Sequence, residues 1–211
     1  MSETGLLERP GGARWLYVLG HGAGAGMRHP FLERMAQALA AHGIASYRYE
    51  FPYMQQRHRR PDPPAVAEAR VREAVREAVA AAPDVALIAG GKSFGGRMTS
   101  QAQAREPLPG MRGLVFLGFP LHPPGRPGTT RADHLSQVRI PMLFLQGTRD
   151  QFAQLDLLHP VIAALGDRAT LQVIEGADHS FNVPKRGRPR DVLEELAQAI
   201  AAWCTTLTGG D

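Results

Sequence analysis

The sequence predicts an α/β protein with a mostly parallel sheet of six or slightly more strands and helices on both faces. Three observations predict it. Six short apolar runs recur along the chain, most of them ending at glycine: 15–20 (WLYVLG), 44–51 (IASYRYEF), 85–90 (VALIAG), 114–119 (LVFLGF), 142–147 (MLFLQG) and 171–176 (LQVIEG). Continuous apolar runs of this length are what strands buried on both faces look like. Longer amphipathic segments separate them, which makes parallel crossover units. Finally, a Gly-x-Ser-x-Gly stretch stands between the third run and the helical pattern after it.

Taken in order, the first helix starts near Pro30 and carries Phe31, Met35 and Leu39 to a stop at His42-Gly43. The second follows Asp62-Pro63-Pro64, with Val71, Val75 and Val79 at i, i+4 spacing and Glu68 four residues before Arg72. Asp62 is placed to cap it, and proline fits a first turn, where the N–H has no intrahelical partner. The third begins just after Ser93, another covers 156–165, and the last runs from Asp191 to about Cys204. No internal repeat or linker divides the chain. It reads as one domain over 1–211, with 1–13 a loose N-terminal segment.

A chain of 211 residues can bury a sizeable core in one domain. With 24 basic against 20 acidic residues, its charge excess is too small for a nucleic-acid footprint. The single cysteine, Cys204, excludes an intramolecular disulfide and fits a reducing compartment. The first residues lack the apolar core of a secretory signal, and no run approaches the length of a membrane span. A cytoplasmic location without membrane association is expected. Oligomeric state is not legible.

The chemistry centres on Gly91-Lys92-Ser93-Phe94-Gly95. A serine on a sharp turn between strand and helix has its hydroxyl exposed and the helix N-terminus beneath it, where negative charge is favoured. Gly91 and Gly95 are read as the positions where flanking side chains would collide. The same stretch is not a phosphate-binding loop, which needs glycine where Ala86 stands.

A serine hydroxyl needs a base and a group to orient that base. Asp150 follows the run ending at Gly147, and His179 follows the run ending at Gly176, so serine, acid and histidine come in the order this arrangement requires. Of eight histidines, only His179 lies beyond the last strand. Asp156 and Asp167 flank a helix and read as caps, and Asp178 fits a turn. The oxyanion is assigned to the N–H groups of Ala23 and Phe94, with Gly24 as the alternative to Ala23. His21 and His122 are candidates for the substrate pocket. His21 also reads as a brace for its loop, and His122 as a cap of its own turn. No metal or organic cofactor is called for. A dinucleotide site built on Gly20-x-Gly22-x-x-Ala25 and Glu50 competes for the first loop, but leaves Ser93, Asp150 and His179 unexplained.

The phrases HGAGAGM, GGKSFGGRM, GFPLHPPGRP and GADHSF together resemble the α/β-hydrolase superfamily, and more narrowly the dienelactone-hydrolase-like group that includes testis-expressed relatives. The resemblance implies an α/β-hydrolase fold with Ser93, Asp150 and His179 as triad. It implies no particular substrate.

Lidded hydrolases insert a helical cap where this chain has only the Pro-rich stretch between Phe119 and Met142. An uncovered site favours small acyl substrates, carboxyl esters first, with thioesters, lactones or amides as alternatives. Arg126 and Arg131 in that stretch read as solvated rather than as a carboxylate site. Arg57-His58-Arg59-Arg60 reads as an exposed loop. The segment 185–190 contains Arg186, Arg188 and Pro189 in an order similar to AT-hook peptides, although such peptides occur in tails and this one joins two elements. The rival from another class is therefore a non-catalytic scaffold of the same fold that binds protein or DNA through these basic loops.

Overall fold

The computed structural model describes residues 4–184 and 190–207. Seven strands form one sheet: β1 (Gly5–Glu8), β2 (Trp15–Gly20), β3 (Ile44–Tyr49), β4 (Ala86–Lys92), β5 (Met111–Leu117), β6 (Met142–Gly147) and β7 (Ala169–Ile174), in the order β1-β3-β2-β4-β5-β6-β7. All neighbours are parallel except β1, which runs antiparallel to β3 with Gly5 opposite Tyr49. The six apolar runs became β2 to β7. The seventh strand corrects the reading of 1–13 as loose: four of its residues pair along the β3 edge. An edge strand of four residues, none of them fully buried, is too short for a periodicity to show.

Among the described residues there are six α-helices: α1 (Pro30–Ala41), α2 (Pro52–Gln55), α3 (Pro64–Ala81), α4 (Phe94–Arg105), α5 (Leu155–Leu165) and α6 (Val192–Thr206). Successive strand residues point to opposite faces, and this alternation divides the interior in two. Leu16 and Val18 of β2, Leu114 and Phe116 of β5, and Met142 and Phe144 of β6 pack with α3, α4 and α5. Tyr17, Leu19, Val115, Leu117, Leu143 and Leu145 pack on the other side, with α1 and α6.

Three local expectations about α3 are corrected. Asp62 does not cap it; its Oδ2 accepts the Tyr53 N–H at 3.0 Å, tying down α2. Val79 lies at the exposed edge of the helix, because the buried stripe continues through Ala74, Val75 and Ala78. Glu68 pairs across helices with Arg105 at 2.9 Å rather than along α3 with Arg72. Pairs between packed helices outcompete exposed i, i+4 pairs, which contribute only about 0.3–0.5 kcal/mol. The stretch between β5 and β6 forms a 3-10 helix, Thr130–Gln137, whose Ala132 and Leu135 are buried in the core on the α4 side.

The chain runs from β2 outward to β3, then crosses back over β2 to β4. The crevice at the carboxyl ends of β2 and β4 is the switch point at which open parallel sheets bind ligands. Gly20, the last residue of β2, lies in register with Gly91.

Candidate active site

Ser93 occupies the turn between β4 and α4 with φ 47° and ψ −106°, a backbone conformation that costs on the order of 1–3 kcal/mol for a residue with a side chain. The close packing here differs in detail from the sequence reading. A Cβ on Gly91 would lie 2.2 Å from the Gly20 carbonyl oxygen, and one on Gly95 would lie 2.5 Å from the same atom. The two glycines therefore make room for the neighbouring strand β2, not for each other.

His179 reaches this serine from the loop after β7. Its Nε2 lies 2.9 Å from Ser93 Oγ, and its Nδ1 lies 2.7 Å from Asp150 Oδ2. The loop is shaped by Asp178, whose Oδ1 accepts the Ser180 and Asn182 N–H groups at 2.8 and 2.9 Å. Asp150, at 3% exposure, is held in turn: its Oδ1 accepts the Phe152 N–H at 2.8 Å, and its Oδ2 accepts from Gln146 Nε2 at 2.5 Å. Gln146 is fixed by accepting the Phe119 N–H at 3.0 Å. The Asp150 oxygen at Nδ1 places the imidazole proton there, leaving the Nε2 lone pair toward Ser93. The Phe152 ring covers the imidazole, with centroids 4.2 Å apart. Burial holds His179 below its ordinary value of 6.5, against the upward pull of its hydrogen bond to Asp150; the positive charge of Lys92 adds to the lowering.

The first loop presents Ala23 to the same cleft as Ser93. Phe94 is the first residue of α4, where an N–H has no intrahelical acceptor. The Gly24 N–H is already spent on Tyr53 Oη at 2.8 Å. His21 is fully buried beneath this loop: its Nε2 accepts the Phe51 N–H at 3.1 Å, so its Nδ1–H donates to the Gly22 carbonyl at 2.8 Å. Burial lowers it to about 4, which keeps the ring neutral. Glu50, the acid of the dinucleotide reading, faces His21 at 3.3 Å and accepts the Met27 N–H, so it too braces the loop.

Of the two readings of His21, pocket residue and brace, its contacts are those of a brace. The same holds for His122, which is 2% exposed, with Nδ1 2.8 Å from the Pro123 carbonyl and Nε2 2.5 Å from Gln154 Oε1. Neither histidine lines the cleft that holds Ser93. Arg126 and Arg131 also lie outside it. Arg57, His58, Arg59 and Arg60 are exposed, as expected. Arg186, Arg188 and Pro189 lie outside the described residues. Among the described residues no cluster of His, Cys, Asp or Glu is arranged to hold a metal ion, and no helix is long and apolar enough to cross a membrane.

Sequence reading missed Gln146, Phe152 and Lys92. Gln146 carried a signal, a lone amide at the end of an otherwise apolar strand; Phe152 and Lys92 carried none. A second serine–histidine contact was also invisible: Ser100 Oγ lies 2.8 Å from His134 Nε2. Ser100 is fully buried on α4, and among the described residues no carboxylate hydrogen-bonds that histidine, so no substrate reaches it.

The cleft beside Ser93 has a volume of about 1700 Å³ and extends between the N-terminal ends of α1 and α6. Phe31 and Phe181, stacked at 6.0 Å, form its apolar wall, and the 3-10 helix between β5 and β6 lies on the opposite face of the sheet.

Such a sheet, with a serine on the turn after its central strand and histidine and aspartate on later loops, defines an α/β-hydrolase architecture. A family model for the alpha/beta hydrolase domain matches residues 13–206, and the chain belongs to that family. Among solved structures it is similar to a dienelactone hydrolase from Anabaena variabilis, at 20% identity and TM-score 0.76, covering 96% of this chain and 90% of that one. An a/b serine hydrolase without lid from Xanthomonas campestris is 19% identical with TM-score 0.73, over 98% and 90% of the two chains. A monoacylglycerol lipase from Paleococcus ferrophilus is 14% identical with TM-score 0.72, over 99% and 100%.

Proposed function

We propose that this chain is a serine hydrolase that cleaves small carboxyl esters through an acyl-enzyme on Ser93. The observation that carries the reading is the continuous hydrogen-bonded line from Asp150 through His179 to Ser93 at the floor of an open cleft. His179 Nε2 takes the hydroxyl proton as Oγ attacks the ester carbonyl carbon, and the N–H groups of Ala23 and Phe94 hold the oxyanion. His179 then gives that proton to the departing alkoxide as the tetrahedral intermediate collapses. Water, deprotonated by the same nitrogen, hydrolyses the acyl-enzyme. Asp150 stabilises the imidazolium that forms at each proton transfer. Thioesters and lactones present the same carbonyl to the same groups. With one buried cysteine and no disulfide to form, a cytoplasmic location is part of this reading.

Intact-mass analysis after treatment with a fluorophosphonate tests it. One adduct, mapped to the peptide containing Ser93, is expected; an unlabelled folded protein would remove the reading and leave a non-catalytic scaffold. Two further outcomes follow from the site. His179 accepts the Ser93 proton only as the neutral imidazole, so labelling slows as pH falls through its pKa. Because that pKa is lowered, the midpoint should lie below 6.5, checked by the second-order labelling rate between about pH 4 and 8. With no cap to enclose a long chain, acetyl and butyryl esters should turn over faster than dodecanoyl esters in a p-nitrophenyl series.

A further inference from the structure

We propose that Lys92 is a positioning residue for His179: its ammonium anchors the carbonyl of the residue that bears the imidazole and sets a positive charge beside the Asp150–His179 pair. Lys92 is the first of the two unspecified residues of the Gly-x-Ser-x-Gly turn and the last residue of β4. Its side chain does not run out to solvent. Nζ donates to the His179 backbone carbonyl at 2.5 Å and lies 5.5 Å from the centroid of the Phe181 ring, two residues further along the same loop. Lys92 Nζ, Asp150 Oδ2 and His179 Nδ1 all converge on Gly118, each within 3.4 Å of the point where a Cβ would stand. Gly118 has φ 71°, and a side chain there would push into this space.

An ammonium withdrawn from water is costly unless something compensates it. Here the compensation is a carbonyl, a ring face and the more distant charges of Asp150 and Asp178. Among the described residues no carboxylate oxygen lies within 4.0 Å of Nζ, so its field is not cancelled by a direct ion pair. The charged groups that face the imidazole are Asp150 across the sheet, Asp178 on its own loop and Lys92 from β4. Asp178 is committed to its turn. Of the three, Lys92 alone opposes protonation of the ring. Desolvation brings Lys92 down to about 8, so it keeps its charge throughout the range in which His179 titrates. The consequence is a base that stays uncharged, and a serine that stays reactive, at lower pH than Asp150 alone would allow.

The contacts stand whether or not the hydrolase reading does; only the kinetic consequence rests on it. The experiment is an NMR titration of the His179 imidazole nitrogens in the full chain, assigned against His179→Gln, for wild type, Lys92→Met and Lys92→Arg. Methionine keeps the bulk and removes the charge and the donor. The midpoint of Lys92→Met should rise by about one pH unit, a tenfold gain in proton affinity. Lys92→Arg should stay near wild type, and the acid limb of fluorophosphonate labelling should follow the same order. A folded Lys92→Met protein with an unmoved midpoint overturns the proposal, even if its labelling slows, because packing alone would do that. Lys92→Gln serves if methionine prevents folding. Absence of labelling in wild type would sink the hydrolase reading while the NMR midpoint still decides the role of Lys92.

Discussion

Ser93→Ala is expected to lower kcat on an activated ester by about 10⁶-fold, the loss seen when the nucleophile of such a unit is removed. Three features of the result would be specific to this arrangement. His179→Ala should cost a similar factor, and the double variant little more than either, because attack and proton transfer are one event. Asp150→Asn should cost about 10⁴-fold. An asparagine whose oxygen takes the Oδ1 position and accepts the Phe152 N–H puts its NH₂ at the Oδ2 position, facing both Nδ1 and the Gln146 amide. That leaves the imidazole proton on Nε2, facing Ser93 with no lone pair to offer. The residual activity of all three should still exceed the uncatalysed rate, since the oxyanion donors proposed at Ala23 and Phe94 are untouched. The measurement is steady-state turnover of p-nitrophenyl acetate after removal of wild-type contamination, with thermal melts to show that each variant is folded. Ser93→Ala activity within tenfold of wild type would place the nucleophile elsewhere. Ser100 is no substitute, because its side chain is buried and neither it nor His134 lines the cleft.

The sequence made these three positions legible because each follows a strand with a strong apolar signal, and loops at strand ends are where a parallel sheet can present side chains to one place. The same logic could not choose between alternatives where the signal is tertiary. His21 and His122 carry chemistry-bearing side chains on the correct loops, yet both rings point inward to satisfy backbone groups, which no spacing reveals. Lys92 looked like any lysine on a turn; only the fold shows that the loop after β7 closes over it. β1 escaped because a strand of four residues has no measurable period, and α2 because one helical turn with proline at its start reads as a loop. The partners of Glu68 and Asp62 were assigned to near neighbours in sequence and belong to distant ones, since packing of α3 on α4 and of α2 on α3 decides which groups meet.

The backbone conformation of Ser93 depends on neighbouring glycines that tolerate no side chain, so Gly91→Ala is expected to be strongly damaging. Gly91 has φ 141°, a region that residues with a Cβ rarely enter, and the added carbon would stand 2.2 Å from the Gly20 oxygen and 2.7 Å from the Gly20 nitrogen. Both obstacles are backbone of the adjacent central strand, which cannot rotate away as a side chain could. Strain and overpacking together come to about 4 kcal/mol, a large part of the roughly 5–15 kcal/mol that holds a domain together. For a chain of this length that corresponds to a fall in Tm of roughly 12 °C. Because β2 must give way, the loop carrying Ala23 moves with Gly20, and labelling of Ser93 should fall by more than the unfolded fraction accounts for. Gly128→Ala is the control: a Cβ there meets nothing within 4 Å, and its Tm should stay within about 2 °C of wild type. Equal melting temperatures for Gly91→Ala and Gly128→Ala would mean that the β2–β4 seam is looser than the 2.2 Å approach requires, and the tight-turn account of Ser93 would have to be given up.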